Sequence, residues 1–254
     1  MSDLPPELSR ALHLAARSPR LLVTSDFDGT LSPIVNNPAD ARPLPEAGRA
    51  LIELAELPAT SAALISGRAL GDLRVLSSMP SSVHLVGSHG AEFDSGFSHP
   101  IDVELLQTIT DVLTTIASDK PGVTVETKPA SVALHVRNAS PADGDTALAE
   151  AWDAAAGWQA HATTGKAVLE FAVISTDKGE AINILRDQHD ATAVVFFGDD
   201  VTDERAFRRL RDADVGVKVG SGETLAGFRI DSPEDVAAAL THLLGMRRDL
   251  SDQQ

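Results

Sequence analysis

Two short acidic segments of the chain carry residue types that could hold a cation and a phosphate. The segment at 26–30, Asp-Phe-Asp-Gly-Thr, directly follows an apolar run at 21–23, and the segment at 198–203, Gly-Asp-Asp-Val-Thr-Asp, directly follows an apolar run at 194–197. Each segment therefore lies where a buried strand should end. Open parallel sheets bind ligands at the carboxyl ends of their strands, and Mg²⁺ prefers oxygen ligands. We expect the two sets of carboxylates to converge on one Mg²⁺ ion that can also hold a phosphate.

Asp26 and Asp28 have the spacing of a nucleophile and a general acid–base group. Alternation along an extended strand end places both side chains on the same side. One carboxylate could attack phosphorus, which divides hydrolysis into two easier steps, and the other could protonate the leaving alcohol and then deprotonate water. Gly29 permits the sharp turn that exposes them. Magnesium on Asp26, Asp199 and a backbone carbonyl would allow one anion to attack another.

Five further polar residues lie at predicted strand or helix ends. Ser66 could hydrogen-bond a phosphoryl oxygen, the alternative being a helix cap. Lys178 begins a predicted helix, where its charge and the helix N-terminus both favour an oxyanion. Arg68 is open between a phosphate or sugar contact and a surface ion pair. We interpret Asp203 as binding a metal-bound water, whereas Asp200 is open between ligating the metal and orienting Lys178.

The composition argues against several classes of function. The chain has 254 residues, a formal net charge of −16 and no cysteine. Nucleic acid is a poor partner, since its binding depends on neutralising phosphates, and disulfides and thiol chemistry are excluded. There is no apolar signal core and no apolar run of membrane-spanning length. We expect a soluble cytoplasmic protein without a membrane partner, for which a monomer is the simplest expectation.

Apolar runs that alternate with helical patterns predict an α/β core with a parallel sheet. Its predicted strands lie at 21–25, 62–65, 83–86, 193–197 and 214–217, and its predicted helices at 44–57, 70–76, 179–188, 203–210 and from 233 to about 244. The ends before Ser9 and after Met246 are expected to be loosely held.

The middle of the chain predicts a different, α+β arrangement. Helical patterns and alternating, half-exposed strands are found at 101–117, 123–127, 132–137, 147–156, 161–163 and 167–171, with a hairpin turn at 164–166. We expect residues 99–175 to form an insertion, and residues 1–98 and 176–254 to form the core.

The acidic segments, with two others, resemble the four motifs of haloacid-dehalogenase-like phosphatases. They occur in the expected order at 26–30, 66–68, 178–179 and 198–203, with the insertion between the second and the third. The resemblance implies an α/β fold, in which a Rossmann-like parallel-sheet hydrolase core carries an inserted α+β cap domain.

More narrowly, most of the chain resembles trehalose-6-phosphate phosphatases. The strings that carry this resemblance lie at 28–34, at 87–92 (Gly-Ser-His-Gly-Ala-Glu) and at 198–204. The resemblance implies an aspartyl-phosphate intermediate on Asp26, with Asp28 as acid–base group. It also implies Mg²⁺ bound by Asp26, the carbonyl of Asp28 and Asp199.

The same resemblance assigns sugar contacts in the insertion. Glu126, Lys128 and Arg137 match residues that grip the sugar in that family, Glu170 matches a second sugar-binding glutamate, and Lys166 matches a further cation. On the residues alone, this alternation is that of a solvated sheet face. The chain also departs from the family at 172–173, where many relatives have Arg-Pro.

The expected function is Mg²⁺-dependent hydrolysis of trehalose 6-phosphate. The same chemistry on sucrose 6-phosphate or on glucosyl- or mannosyl-3-phosphoglycerate is an alternative. A catalytically silent regulatory module that binds a sugar phosphate is a second alternative. Such a module would be free to lose Asp26 or Asp28, and the presence of both argues against it.

Overall fold

The computed structural model describes residues 4–251, which form two compact units. The core unit contains the described residues up to Gly96 and from Thr176 onward, and the inserted unit is Phe97–Ser175. Among the described residues, no helix combines the length and the apolar character needed to cross a lipid bilayer.

The core unit alternates strands with helices. Its strands are β1 (Leu21–Ser25), β2 (Thr60–Ile65), β3 (Val83–Val86), β4 (Glu92–Phe93), β10 (Ala193–Gly198), β11 (Val215–Val219) and β12 (Phe228–Ile230), and its helices are α1 (Pro6–Ala16), α2 (Pro45–Ala55), α3 (Leu70–Ser77), α6 (Lys178–Gln188), α7 (Asp203–Arg209) and α8 (Pro233–Ser251). The inserted unit holds β5 (Gly96–Phe97, at its boundary), α4 (Val103–Ala117), β6 (Thr124–Lys128), β7 (Ser131–His135), α5 (Pro141–Ala154), β8 (His161–Gly165) and β9 (Val168–Ala172).

The core sheet is parallel, with the strand order β12-β11-β10-β1-β2-β3. From β1 the chain moves outward through β2 and β3, and it returns to the other side of β1 with β10. The order therefore reverses between β1 and β10, the place where open α/β sheets bind ligands. The two acidic segments directly follow these two strands.

Both faces of the core sheet are covered by helices. Successive side chains of a strand point to opposite faces, so each strand contributes to both. Leu21 and Val23 pack in the cluster that includes α1, α2, α3 and α8, whereas Leu22 packs in the cluster of α6 and α7. Phe197 and Phe196 divide between the same two faces. This burial holds the ends of β1 and β10 at fixed positions and confirms the predicted α/β class.

The inserted unit is an antiparallel sheet with two helices on one face. Its strand order is β6-β7-β9-β8. One face packs against α4 and α5 through buried residues that include Leu134, Leu169 and Phe171. The rings of Trp158 and Phe171 lie nearly perpendicular to each other, with 5.1 Å between the centroids. The predicted α+β character of the insertion is confirmed, although its hairpin turn lies at 166–167 and not at 164–166, since Gly165 still pairs with Val168.

The prediction of loosely held ends was wrong for residues 4–8 and 247–251, and its remaining part, residues 1–3 and 252–254, lies outside the described residues. Helix α1 begins at Pro6, and Leu8 is fully buried. Helix α8 continues to Ser251, well past the predicted end near Leu244. The buried guanidinium of Arg247 donates to the carbonyl of Ala16 at 2.6 Å, which ties α8 to the end of α1. The short strand β12 was not predicted.

Candidate active site

The ends of β1 and β10 place Asp26 next to the second acidic segment. The backbone N–H of Asp26 donates to the carbonyl of Phe197 at 2.9 Å, which extends the strand pairing to the residue after β1. The hydroxyl of Thr30 donates to Oδ1 of Asp199 at 3.0 Å. Gly29 has φ +82°, and a β-carbon there would lie 2.2 Å from Oδ2 of Asp199. Glycine at this position therefore allows the two segments to meet.

Three carboxylates and one ammonium group form the centre of this site. Ligand atoms of Asp26, Asp199 and Asp203 all lie within 4.8 Å of one another. The Nζ atom of Lys178 lies 2.8 Å from Oδ1 of Asp26 and 2.7 Å from Oδ1 of Asp203. Asp26, Asp203 and Lys178 are 5%, 0% and 2% exposed. The four residues, predicted from three motifs, therefore form one cluster, in which Asp199 is the partly exposed member.

The electrostatics of the cluster show an excess of negative charge. Burial raises the pKa of Asp26 well above its usual value, against the opposing effect of Lys178, and Asp203 and Asp199 raise it further. Burial likewise raises the pKa of Asp199, and the charge of Asp203 adds to this effect. Burial alone would lower the pKa of Lys178, but Asp26 and Asp203 outweigh it and raise the pKa, so the amine is protonated.

These residues fit a divalent cation. One ammonium group faces three carboxylates, so negative charge is in excess at this point. A cation at this point would relieve the repulsion. The donors are all carboxylate oxygens, which suit a hard cation.

Asp203 and Asp200 have different surroundings, although they belong to the same segment. Asp203 begins α7, and its Oδ2 accepts a hydrogen bond from the backbone N–H of Asp200 at 2.9 Å. The exposed carboxylate of Asp200 accepts from the backbone N–H of Val201 at 2.7 Å. Asp203 therefore belongs to the buried cluster, and Asp200 caps its own loop.

Ser66 and Arg68 follow β2, the neighbour of β1. Ser66 is 1% exposed, and its Oγ accepts a hydrogen bond from the backbone N–H of Arg68 at 3.2 Å. The guanidinium of Arg68 binds both carboxylate oxygens of Asp28. The side chain of Asp28 is thus directed to Arg68, while that of Asp26 is directed to Lys178.

Sequence reasoning missed Lys218, a buried lysine beside the cluster. It lies in β11 opposite Gly198, is 4% exposed, and its ammonium donates to the backbone carbonyl of Asp199. The contact fixes the main chain at the residue that enters the acidic cluster. The one available signal was a single lysine in a strand whose other members are apolar or glycine, since a buried charge must find a partner.

In the inserted unit, five polar residues, three of them predicted to bind the sugar, make contacts with one another on the sheet face opposite α4 and α5. The Nζ atom of Lys128 lies 3.0 Å from Oε2 of Glu170, and Oε1 of that carboxylate accepts from the hydroxyl of Ser131 at 2.6 Å. A carboxylate oxygen of Glu126 lies 2.8 Å from Nε2 of His135, within hydrogen-bonding distance. Ala133 of β7 is paired with Glu126 of β6 on one side and with Glu170 of β9 on the other, so the two glutamates lie on the same face of the sheet.

The other two predicted sugar-binding residues lie outside these pairs. Arg137 lies two residues beyond the end of β7, and Lys166 lies in the turn between β8 and β9. Both are exposed. Ser131 was not predicted as a partner of Glu170, because the two meet diagonally, with Ser131 paired to Ala172, only in the observed strand register.

Comparison with known proteins identifies the family of the chain. A family model described as trehalose-phosphatase matches residues 24–233. A trehalose-phosphate phosphatase of Mycobacterium leprae is 35% identical over 100% of this chain, and one of Mycobacterium avium is 36% identical over 93% of it. The chain spans 64% and 66% of the length of these two relatives.

Solved structures share the fold. The C-terminal domain of the Candida albicans trehalose-6-phosphate phosphatase has a TM-score of 0.76 at 24% identity, with 94% of this chain and 96% of that one covered. The Aspergillus fumigatus trehalose-6-phosphate phosphatase has a TM-score of 0.70 at 25% identity, with 94% and 97% covered. Because the family model matches most of the chain, the resemblance found in the sequence is confirmed, and the chain belongs to the trehalose-phosphatase family.

Proposed function

We propose that this protein is a magnesium-dependent phosphatase that hydrolyses trehalose 6-phosphate to trehalose and inorganic phosphate. The observation that carries the proposal is the position of Asp26, a buried carboxylate at the switch point of the sheet, 2.8 Å from the ammonium of Lys178. Family membership supports the choice of substrate, since relatives named for this activity align along nearly the whole chain.

The buried carboxylates would hold the magnesium ion. Asp26 and Asp199 would bind it with their side chains, Asp28 with its carbonyl oxygen, and Asp203 would hold one of its waters. When bound, the ion supplies positive charge between the phosphate and Asp26, which otherwise repel each other.

The protein side chains supply the nucleophile and the proton transfers. A carboxylate oxygen of Asp26 attacks phosphorus, the bond from phosphorus to the sugar oxygen breaks, and Asp28 donates its proton to that oxygen. Water then attacks phosphorus and gives a proton to Asp28, while the bond from phosphorus to Asp26 breaks and phosphate is released. Ser66 and Lys178 would donate hydrogen bonds to the phosphoryl oxygens as their charge develops.

We propose that the inserted unit selects the sugar and serves as the cap. Its polar sheet face offers two carboxylates, Glu126 and Glu170, and the ammonium of Lys128, all of which can bind sugar hydroxyls. Arg137 and Lys166 would add exposed cations beside this face. A sugar of the wrong shape would leave such groups unpaired, which is a strong basis for discrimination.

The test is phosphate release from trehalose 6-phosphate with Mg²⁺ and with EDTA, beside glucose 6-phosphate, sucrose 6-phosphate and the two glycosyl-3-phosphoglycerates. Asp26→Asn is the control for the nucleophile. Selective, Mg²⁺-dependent release that Asp26→Asn abolishes would support the proposal. Selectivity for another sugar phosphate would overturn the roles of Glu126, Lys128 and Glu170, and no turnover of any substrate would favour a silent binding module.

A further inference from the structure

The segment at 87–92 lies next to the proposed site but has no part in the reaction above. It joins β3 to β4 and contains two consecutive non-glycine residues, Ser88 and His89, with φ of 50° and 56°. Left-handed backbone is costly for such residues, and it persists only where the surroundings impose it. The contacts that impose it here connect two parts of the catalytic centre.

One side of the segment holds the backbone around Ser66 and Arg68. The backbone N–H of His89 donates to the carbonyl of Ser66 at 2.9 Å, and that of Ser88 donates to the carbonyl of Arg68 at 2.7 Å. The main chain at Ser66, a proposed phosphate contact, and at Arg68 is therefore fixed by this segment.

Glu92 connects the segment to the start of α3. Its Oε2 accepts from the backbone N–H of Leu70 at 2.8 Å and from the hydroxyl of Ser88 at 3.3 Å. Helix α3 begins at Leu70, and Ala69 at its N-cap offers no side-chain acceptor. Glu92 thus caps a helix N–H that has no partner within the helix. Its main chain is itself paired with Gly87, at 2.8 and 3.2 Å.

The other side of the segment lies against the residue before Lys178. Gly90 has φ +110°, and a β-carbon there would lie 2.6 Å from the carbonyl oxygen of Asp177. Asp177 caps α6 by accepting from the N–H of Glu180 at 2.9 Å, and Lys178 is the first residue of that helix. The segment therefore lies between the two backbone regions that present Ser66 and Lys178.

We propose that Glu92 is a positioning residue for the phosphate-binding groups. By joining Leu70 to Ser88, it fixes the position of the backbone from 66 to 70 relative to the start of α6. Ser66, Arg68 and Lys178 can then bind one phosphate together. This role rests on the proposed phosphatase function and adds a residue that does not itself touch the substrate.

Three variants test the role. Glu92→Ala removes the acceptor, and Glu92→Gln keeps an oxygen for the N–H of Leu70. Asp94→Ala is the matched control, because Asp94 forms an exposed ion pair with Arg74 of the same helix. We expect Glu92→Ala to lower kcat about 10- to 100-fold through misplacement of the reacting groups, Glu92→Gln to restore most of kcat, and Asp94→Ala to leave it unchanged.

Calorimetric titration with inorganic phosphate in the presence of Mg²⁺ gives a readout that does not need turnover. Its Kd is expected to rise about tenfold in Glu92→Ala, as for the loss of a positioned charge-assisted contact, and to stay at the wild-type value in Asp94→Ala. Equal changes in Glu92→Ala and Asp94→Ala, or wild-type kcat and Kd in Glu92→Ala, would overturn the positioning role. A wild-type protein that binds phosphate without turnover would overturn the phosphatase function alone, and one that does neither would overturn both.

Discussion

Arg68 donates hydrogen bonds to both carboxylate oxygens of Asp28, at 2.6 Å from Nε and 2.7 Å from an Nη atom. The guanidinium carbon also lies 5.7 Å from the centroid of the Phe27 ring. In this arrangement both oxygens of Asp28 are directed to the guanidinium and not to a substrate. The proposed reaction therefore requires this pair to open. A substrate phosphate, which binds a guanidinium group well, is the anion that can draw Arg68 away.

The first prediction concerns the proton that Asp28 supplies. Asp28→Asn is expected to lower kcat for trehalose 6-phosphate by about 10²–10⁴-fold, because an amide cannot protonate the sugar oxygen. The first turnover of p-nitrophenyl phosphate should lose much less, since p-nitrophenolate leaves without a proton. Rapid-quench kinetics with both substrates measures the difference. Asp72→Asn, an exposed residue in α3, is the charge-matched control, and equal losses with both substrates would contradict an acid role.

The second prediction separates a metal ligand from a nearby charge. Mg²⁺ should raise the Tm of the wild-type protein, because a ligand that binds only the folded state stabilises it. Asp199→Asn should remove most of this rise. Asp200→Asn, which changes the same charge on an exposed side chain that caps its own loop, should retain it. Thermal unfolding followed by circular dichroism, with EDTA and with Mg²⁺, makes the comparison, and equal loss in both variants would argue for general electrostatics.

The third prediction concerns the ammonium inside the acidic cluster. Lys178→Met leaves Asp26 and Asp203 buried without their cation, and removing one partner of a buried ion pair typically costs about 3–5 kcal/mol. We expect a loss of this size in the free energy of unfolding in EDTA, and a smaller one in Mg²⁺. Urea unfolding followed by far-UV circular dichroism measures both. Lys166→Met, at an exposed turn, is the control and should change stability little. If Lys178→Met lost as much stability in Mg²⁺ as in EDTA, the idea that Lys178 and Mg²⁺ neutralise the same carboxylates would be contradicted.

The core could be predicted because its signals are local. The apolar run at 21–25 becomes β1 with the predicted bounds, and the acidic residues that follow it reach the sheet edge by continuing the chain. The chain ends could not be predicted in the same way. Leu8 and Arg247 are buried by elements distant in the sequence, as the contact of Arg247 with Ala16 shows. Packing against these distant elements stabilises the terminal helices, as it does most helices in proteins.

In the candidate site, too, features set by local sequence could be predicted and features set by distant elements could not. The residues of the acidic cluster were foreseen, because each lies at the end of its own strand or helix. Their specific partners were not: the contact of Lys218 with the carbonyl of Asp199 depends on the placement of β11 beside β10. Similarly, Ser131 meets Glu170 only because β7 and β9 pair in one register, and a shift of one residue would turn either side chain to the other face.

The fourth prediction tests the sheet face of the inserted unit. Glu170→Gln removes the charge that Lys128 and Ser131 contact. The loss of a hydrogen bond to a charged group, about 1.5–3 kcal/mol, corresponds to a rise in KM for trehalose 6-phosphate of about tenfold or more. The kcat/KM for p-nitrophenyl phosphate, which lacks the sugar, should not change. Glu104→Gln, an exposed residue in the first turn of α4, is the control, and equal loss with both substrates would exclude a sugar contact.

The fifth prediction concerns a pair of histidines in the core unit. The rings of His84 and His189 lie 4.4 Å apart between centroids, and burial lowers the pKa of both, with the charge of His84 adding to the effect on His189. Below the unfolded pKa of about 6.5, the unfolded chain therefore binds more protons than the folded one, so stability rises with pH. The full stability contributed by the neutral pair is present above that pH and is lost as the pH falls towards the lower folded pKa values.

The variant His84→Gln/His189→Gln cannot gain these protons, so its free energy of unfolding should fall less than that of the wild type between about pH 7.5 and about pH 5.5. Urea unfolding at several pH values, followed by circular dichroism in EDTA, measures the two slopes. His13→Gln removes an exposed histidine and should keep the wild-type slope. Other groups also titrate in this range, so the quantity compared is the difference between the slopes of the two proteins. A double variant with the wild-type slope would show that the pair is not the acid-sensitive element.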